Sequence, residues 1–149
     1  MARTIAPGKK RIVFAEGEEE RVLRAVQVVA DEQIASPILI GRPAVIEQRI
    51  ARYGLRLQAG TDFTVVNTEN DRRYRDYCLA YLRLMCRRGV TMQYARLEMR
   101  RRNTLIGAML LRHGEAEGMI CGTISSTLRR IVNMAALTVA DASACRNSI

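Results

Sequence analysis

Tryptophan is absent from this 149-residue chain, and phenylalanine occurs only twice. A core must therefore be assembled from Val, Ile, Leu, Met and Ala. Lysine is confined to Lys9 and Lys10, so nearly all the positive charge is arginine. The chain has one histidine, His113, and no C-x-x-C pair among Cys78, Cys86, Cys121 and Cys145. Those spacings argue against a zinc site. No apolar run approaches the ~20 residues of a membrane span. The basic N-terminus is not followed by the apolar stretch of a secretory leader. A reduced, cytoplasmic protein with no membrane partner is the expectation.

Apolar residues make up 48% of the chain and charged residues 26%, a globular composition that suits one domain. A domain of this length buries roughly 70% of the surface its unfolded chain exposes. The net charge is +9. Arginine grips planar anions bidentately and stays charged at any useful pH. The partners this suggests are phosphates, carboxylates, an acidic protein surface or nucleic acid; a solvated basic face is the alternative. No helix-turn-helix, zinc-finger or RNP motif supports a nucleic-acid-binding protein. The arginines also lack the interleaved aromatics of a single-strand platform.

Residues 1–10 read as an arm, since Pro7 and Gly8 disfavour regular structure. Arg11 to Ala15 is a short apolar run that predicts a buried strand ending in a turn at Glu16-Gly17. A helix is expected over about 18–32, with Val22, Val26, Val29 and Ala30 at helical spacing. Glu18, Glu19 and Glu20 would then oppose the positive end of its dipole. Ser36 to Gly41 is a second strand, with Pro37 expected at its first position. Pro43 opens a second helix, which Gly54 stops. Phe63 to Val66 is a third strand. Three helices follow. The first carries the stripe Tyr74, Tyr77, Cys78, Tyr81, Leu82 and Met85 and ends at Gly89; the second runs from a Thr91 cap to about Arg102; the third runs from an Asn103 cap to His113 and Gly114. Gly118 to Gly122 is a fourth strand, and Ser125 and Ser126 could cap a last helix over roughly 127–138. Short apolar strands alternating with amphipathic helices predict an α/β fold, a mostly parallel sheet with helices on both faces.

Two strand-to-helix turns could meet a ligand. At Glu16 to Glu20, three glutamates would repel a phosphate and no G-x-G-x-x-G occurs, so dipole stabilisation explains the run better. The loop Cys121 to Thr127 offers small residues, hydroxyls and backbone N–H groups at the end of a strand, where parallel sheets place their ligands. Gly122, Thr123, Ser125, Ser126, Thr127 and, one turn on, Arg129 are the candidate substrate-binding residues; a simple helix-capping loop is the other reading. No catalytic residue and no metal ligand is assigned. Arg96, Arg100, Arg101 and Arg102 lie on or beside one helix face, with Arg83, Arg87 and Arg88 on the helix before it. They would meet phosphates or nucleic acid, or pair with Glu98 and Asp76 or with a partner domain; a solvated or interdomain face is the other reading. His113 at a helix end favours the dipole and reads as structural. Cys121 in an apolar strand reads as core.

At these residues the chain resembles a known family. RIVFAEGEEERVLR (Arg11 to Arg24) and SPILIGRPAVIEQRI look like the first two strand–helix pairs of phosphate acetyl/butyryltransferases. RGVTMQYARLEM and TLIGAMLLRHGEAEGMICGT resemble the family's central helices and the strand entering its ligand loop. The likeness is greatest to the acyltransferase-like domain that ends large NADP-dependent malic enzymes, and it covers about residues 10–124. The resemblance implies a fold of the isocitrate/isopropylmalate dehydrogenase type, with two subdomains around a cleft. It implies acetyl transfer between coenzyme A and phosphate, with acetyl-CoA and phosphate or acetyl phosphate as substrates and no covalent cofactor. In malic enzyme fusions the domain would sense acetyl-CoA or help assembly. The family's Ser, Arg and Asp catalytic cluster has no counterpart here, Ser125 stands near a family histidine, and no proline follows Pro43. Residues 125–149 do not look like the family, so a partial domain, 11–149, inactive alone and truncated or frameshifted near residue 125, is expected. An incomplete sheet would leave apolar surface, predicting a homo-oligomer or association with another subunit.

Overall fold

The computed structural model describes residues 8–122. The chain alternates β1 (Arg11–Phe14), α1 (Glu20–Asp31), β2 (Ser36–Ile40), α2 (Pro43–Arg52) and β3 (Thr64–Val66). Three helices follow, α3 (Tyr74–Met85), α4 (Met92–Arg101) and α5 (Asn103–Arg112), and then β4 (Gly118–Ile120). All the described pairings are parallel, in the order β3-β2-β1-β4.

Side chains alternate across a strand, and here both sets are apolar because both faces are covered. Phe14 and Leu39 face Val22, Leu23 and Val26 of α1 and Ile46 and Ile50 of α2. Val13, Ile38 and Ile40 face the opposite way, onto Tyr77, Met99, Ile106 and Met109 of α3, α4 and α5. Right-handed crossovers explain the division. The steps β1 to β2 and β2 to β3 advance in one direction, which puts α1 and α2 on one face. The step from β3 back past β1 to β4 runs the other way, which puts α3 to α5 on the second face. Leu23, Leu39 and Ile46 are fully buried; each such side chain contributes roughly 1.5–3 kcal/mol by leaving water.

Local chemistry sets the ends of the elements. Pro43 is the first residue of α2, where its missing N–H costs nothing. The Thr91 side chain accepts from the Tyr94 N–H at 3.3 Å and caps α4. A short 3-10 turn (Cys86–Arg88) follows α3 before Gly89, at φ +70°, ends the segment. Pro37 is the second residue of β2, not the first. The Ser36 N–H points to β1, donating to Lys10, so the Pro37 nitrogen faces β3, which begins only opposite Ile38. The proline therefore interrupts no ladder bond there. Asn103 is the first residue of α5 and not its cap; Arg102 holds that place and makes no side-chain cap bond. Strand β4 stops at Ile120, so Cys121 lies past the strand and is half-buried. The helix expected over 127–138 lies outside the described residues. Among the described residues no helix is long and apolar enough to cross a membrane.

Candidate functional site

Because the four strands are parallel, their C-terminal ends share one edge of the sheet. β1 is the strand where the order turns back: β2 lies on one side of it and β4 on the other. The connection leaving β1 and the one arriving at β4 pass over opposite faces, the arrangement that opens a ligand crevice in sheets of this type. Backbone bonds hold this edge together beyond the strands. Ala15 N–H donates to Ile120 at 3.1 Å, Gly17 N–H to Ile40 at 3.1 Å and Gly41 N–H to Val66 at 3.2 Å.

An open cleft of about 790 Å³ lies along the edge. Ala15 and Glu16, leaving β1, sit between its two sides. On the α1–α2 side it is lined by Glu18, Glu19, Arg42, Arg49, Thr68 and Glu69; on the α4–α5 side by Arg100, Arg101, Asn103 and Thr104. The charges balance over the whole cleft but not within it. Every lining carboxylate stands at β1 or on the α1–α2 side, and the α4–α5 side carries two arginines and none.

Glu18 does not belong to the first turn of α1, which starts at Glu20. Its carboxylate accepts from the Arg42 N–H at 2.9 Å and from the Arg42 guanidinium twice at 3.0 Å. The Arg49 guanidinium donates to the Glu18 carbonyl. The Arg42 side-chain hydrogen bond holds the Glu18 carboxyl below its ordinary range, against the opposing effect of burial. The same pair raises Arg42. Glu18 is thus a clamp between the turn after β1 and the start of α2, and it stays ionised.

The remaining titratable groups of interest are structural. His113 closes α5, with Nδ1 at 2.8 Å from the Met109 carbonyl and its ring 5.3 Å from that of Tyr77. The Tyr77 hydroxyl donates to Glu115 at 2.7 Å, and burial pushes its phenol well above the usual range. Arg73 bridges Asp71, at 2.8 Å, and Glu115. Arg102 pairs with the buried Glu98 at 2.8 Å.

Of the candidate substrate-binding residues, only Gly122 is described; it lies two residues past β4 at φ +107° and does not line the cleft. Thr123, Ser125, Ser126, Thr127 and Arg129 lie outside the described residues. From the basic run the structure brings Arg100 and Arg101 to the cleft, and not Arg83, Arg87, Arg88 or Arg96. Sequence reasoning missed Arg42, Arg49 and Thr104. Arg42 was findable, because it follows a predicted parallel strand and precedes the proline that opens a helix. Arg49 and Thr104 carry no local signal.

The family model for Phosphate acetyl/butaryl transferase matches residues 2–143. The chain belongs to that family. The match runs into the segment after residue 124, past the last of the motif blocks recognised in the sequence. The chain is 54% identical to an NAD-dependent malic enzyme of Rhizobium meliloti over 114 residues, 76% of this chain and 15% of the relative. It is 32% identical to a phosphate acetyltransferase of Nitratidesulfovibrio vulgaris over 123 residues, 83% of this chain and 17% of the relative. It superposes on a phosphotransacetylase from Streptococcus pyogenes with a TM-score of 0.74 at 29% identity, covering 88% of this chain and 38% of that one. The chain therefore spans about a sixth of the curated relatives' length. The α/β fold and the family expected from the sequence blocks are the ones found.

Proposed function

We propose that this phosphate acetyl/butaryl transferase domain binds acetyl-CoA and phosphate, or acetyl phosphate, in the cleft at the C-terminal edge of its sheet. The observation that carries this reading is the position of the cleft at the strand where the order turns back, with arginine on both of its sides. Gly122 follows β4, which pairs with β1 at this edge, and Thr123, Ser125, Ser126, Thr127 and Arg129 further along the chain remain the residues proposed to bind substrate with it. Coenzyme A needs phosphate-binding cations and backbone donors, and acyl transfer needs an oxyanion held by such donors. Neither calls for a covalent cofactor.

Turnover needs more than binding: a base must take the thiol proton. Among the described residues the cleft is lined by no histidine, cysteine or serine. Glu18 is held ionised by Arg42, which makes it a weak proton acceptor. We therefore expect ligand binding by this chain without measurable acetyl transfer to phosphate.

A thermal melt of the full chain, alone and with acetyl-CoA, tests the reading. A ligand at 100 times its Kd adds about 2.7 kcal/mol to the folded state, enough to raise the midpoint by several degrees. No shift with acetyl-CoA would remove the proposal. A shift with a short oligonucleotide alone would replace it with the nucleic-acid reading.

A further inference from the structure

We infer that the outer face of α4, with the 3-10 turn before it, is a docking surface for an acidic protein segment that carries an apolar side chain between its carboxylates. The charge distribution is the first observation. Residues 72–113, which take in α3, α4 and α5, hold eleven arginines and two carboxylates, Asp76 and Glu98. The whole net charge of +9 therefore resides in this stretch, and the rest of the chain is balanced. These three helices cover one face of the sheet, so a bias along the sequence becomes a basic side of the molecule. The two carboxylates do not cancel it. Glu98 is buried and pairs with Arg102. Asp76 sits in the first turn of α3, at the other end of that helix from Cys86–Arg88. Arg87, Arg88 and Arg96 are exposed and form no ion pair among the described residues.

The second observation is apolar. Ala95, Glu98 and Met99 turn inward, which leaves Tyr94 and Leu97 on the outside of α4, 47% and 45% exposed. They are three residues apart and so neighbours on the helix surface. Leu97 follows Arg96, and Arg100 and Arg101 stand one turn beyond it. Burial raises the Tyr81 phenol, Tyr94 adds to the rise and Arg88 opposes it, which gathers Tyr94 and Arg88 at one place. Arginine and tyrosine with little lysine is the composition of a protein-binding patch, where both are frequent anchors. Guanidiniums take carboxylates bidentately, and an apolar side chain from the partner would cover Leu97 and Tyr94. A membrane surface asks for a broad apolar stripe flanked by cations, and this face has only two exposed apolar side chains. A single-stranded nucleic acid asks for successive stacking rings, and Tyr94 is the one aromatic here. A second copy docked symmetrically through α4 would set the basic face against itself.

The experiment is a fluorescence anisotropy titration of the full chain with three labelled probes at matched ionic strength. One is a synthetic peptide with leucines at helical spacing between glutamates. The second is the same peptide with every leucine changed to serine. The third is a short single-stranded oligonucleotide. The variants are Leu97→Ser, Arg88→Gln and Arg96→Gln, with the exposed Arg21→Gln on the other face as a control for net charge. The leucine peptide should bind, less tightly as salt rises, and the serine peptide should bind more weakly. Leu97→Ser should weaken the leucine peptide roughly three- to tenfold, what covering the exposed part of a leucine yields. Arg88→Gln and Arg96→Gln should each weaken it about two- to fivefold, the range of a surface ion pair. Arg21→Gln should bind as the parent does. Melting midpoints of all variants are measured alongside; Arg88→Gln, in a turn, decides the matter should Leu97→Ser lower its midpoint. No binding of the leucine peptide, equal affinity for the serine peptide, or equal loss in Arg21→Gln and Arg88→Gln would overturn the surface. Tighter binding of the oligonucleotide, indifferent to Leu97→Ser, would replace it with a nucleic-acid face. Displacement of the peptide by acetyl-CoA would put the peptide in the cleft and also overturn it. Peptide binding with no response to acetyl-CoA leaves the surface standing and removes the proposed function alone.

Discussion

The Gly17 N–H donates to the Ile40 carbonyl at 3.1 Å, and a Cβ on Gly17 would lie 2.8 Å from that same oxygen. The turn after β1 thus lies flat on the end of β2, closer than any side chain permits. Gly17→Ala must push the turn away, break that bond and shift Glu18 from Arg42. Overpacking of this kind costs typically 1–3 kcal/mol. A lowered urea midpoint is the expected result; an unchanged midpoint would mean that the turn is free to move.

The Glu18–Arg42 clamp predicts an acid limb in stability. Glu18 has its folded pKa depressed, chiefly by the Arg42 side-chain hydrogen bond, from an ordinary 4.5. The clamp's contribution is therefore complete above about pH 4.5 and is lost as pH falls through the lower folded value. Asp71, depressed from 3.8 by Arg73, acts in the same direction. Melting midpoints should fall below pH 4.5, and Glu18→Gln should flatten part of that fall while lowering the plateau. The same acid limb in Glu18→Gln as in the parent would assign it to other carboxylates.

Tyr77, 2% exposed, ties α3 to the loop after α5 through Glu115. Tyr77→Phe keeps the ring and removes the hydroxyl. Hydrogen bonds to charged groups contribute about 1.5–3 kcal/mol, and a loss near the lower figure is expected because Arg73 still satisfies Glu115. Ultraviolet titration offers a second readout. Burial raises Tyr74, Tyr77 and Tyr81 above the ordinary 10.0, Tyr77 by a large shift, and Tyr77→Phe should remove one tyrosine from the high end of the titration.

Gly107, in the middle of α5, sits against the Met119 sulfur of β4, with Val13 and Ile40 behind it. A methyl group there meets a flexible side chain first. Gly107→Ala should therefore destabilise the chain, although alanine favours helix. Gly107→Ala with Met119→Ala should recover part of the loss relative to the sum of the single changes. A double-mutant cycle in urea measures the coupling, expected at about 0.5–3 kcal/mol. Strict additivity would mean that α5 does not rest on β4 at this point.

Much of the fold follows from short-range chemistry. The apolar periods placed all four strands and all five described helices. Thr91, Pro43, Gly89 and Gly114 mark ends where the structure has them, each because one side chain or one left-handed glycine acts within a turn of its own position. Asn103 and Glu18 show where that reasoning stops. Each is a residue type suited to a helix start. Asn103 became the first helical residue, and Glu18 turned to a partner 24 positions away. Propensity compares local alternatives, whereas a guanidinium arriving from another element offers a stronger bond.

The amino-acid order, then, determined the elements, the α/β class and the family, because periodicity, capping and motif blocks are local or linear properties. Only the tertiary structure decided that β4 returns to pair with β1, and so that Arg42, Arg49, Arg100 and Thr104 line one cleft. Those residues come from segments far apart in the chain. They meet because β1 and β2 bury apolar side chains on both faces, and each face had to be covered by a different set of helices.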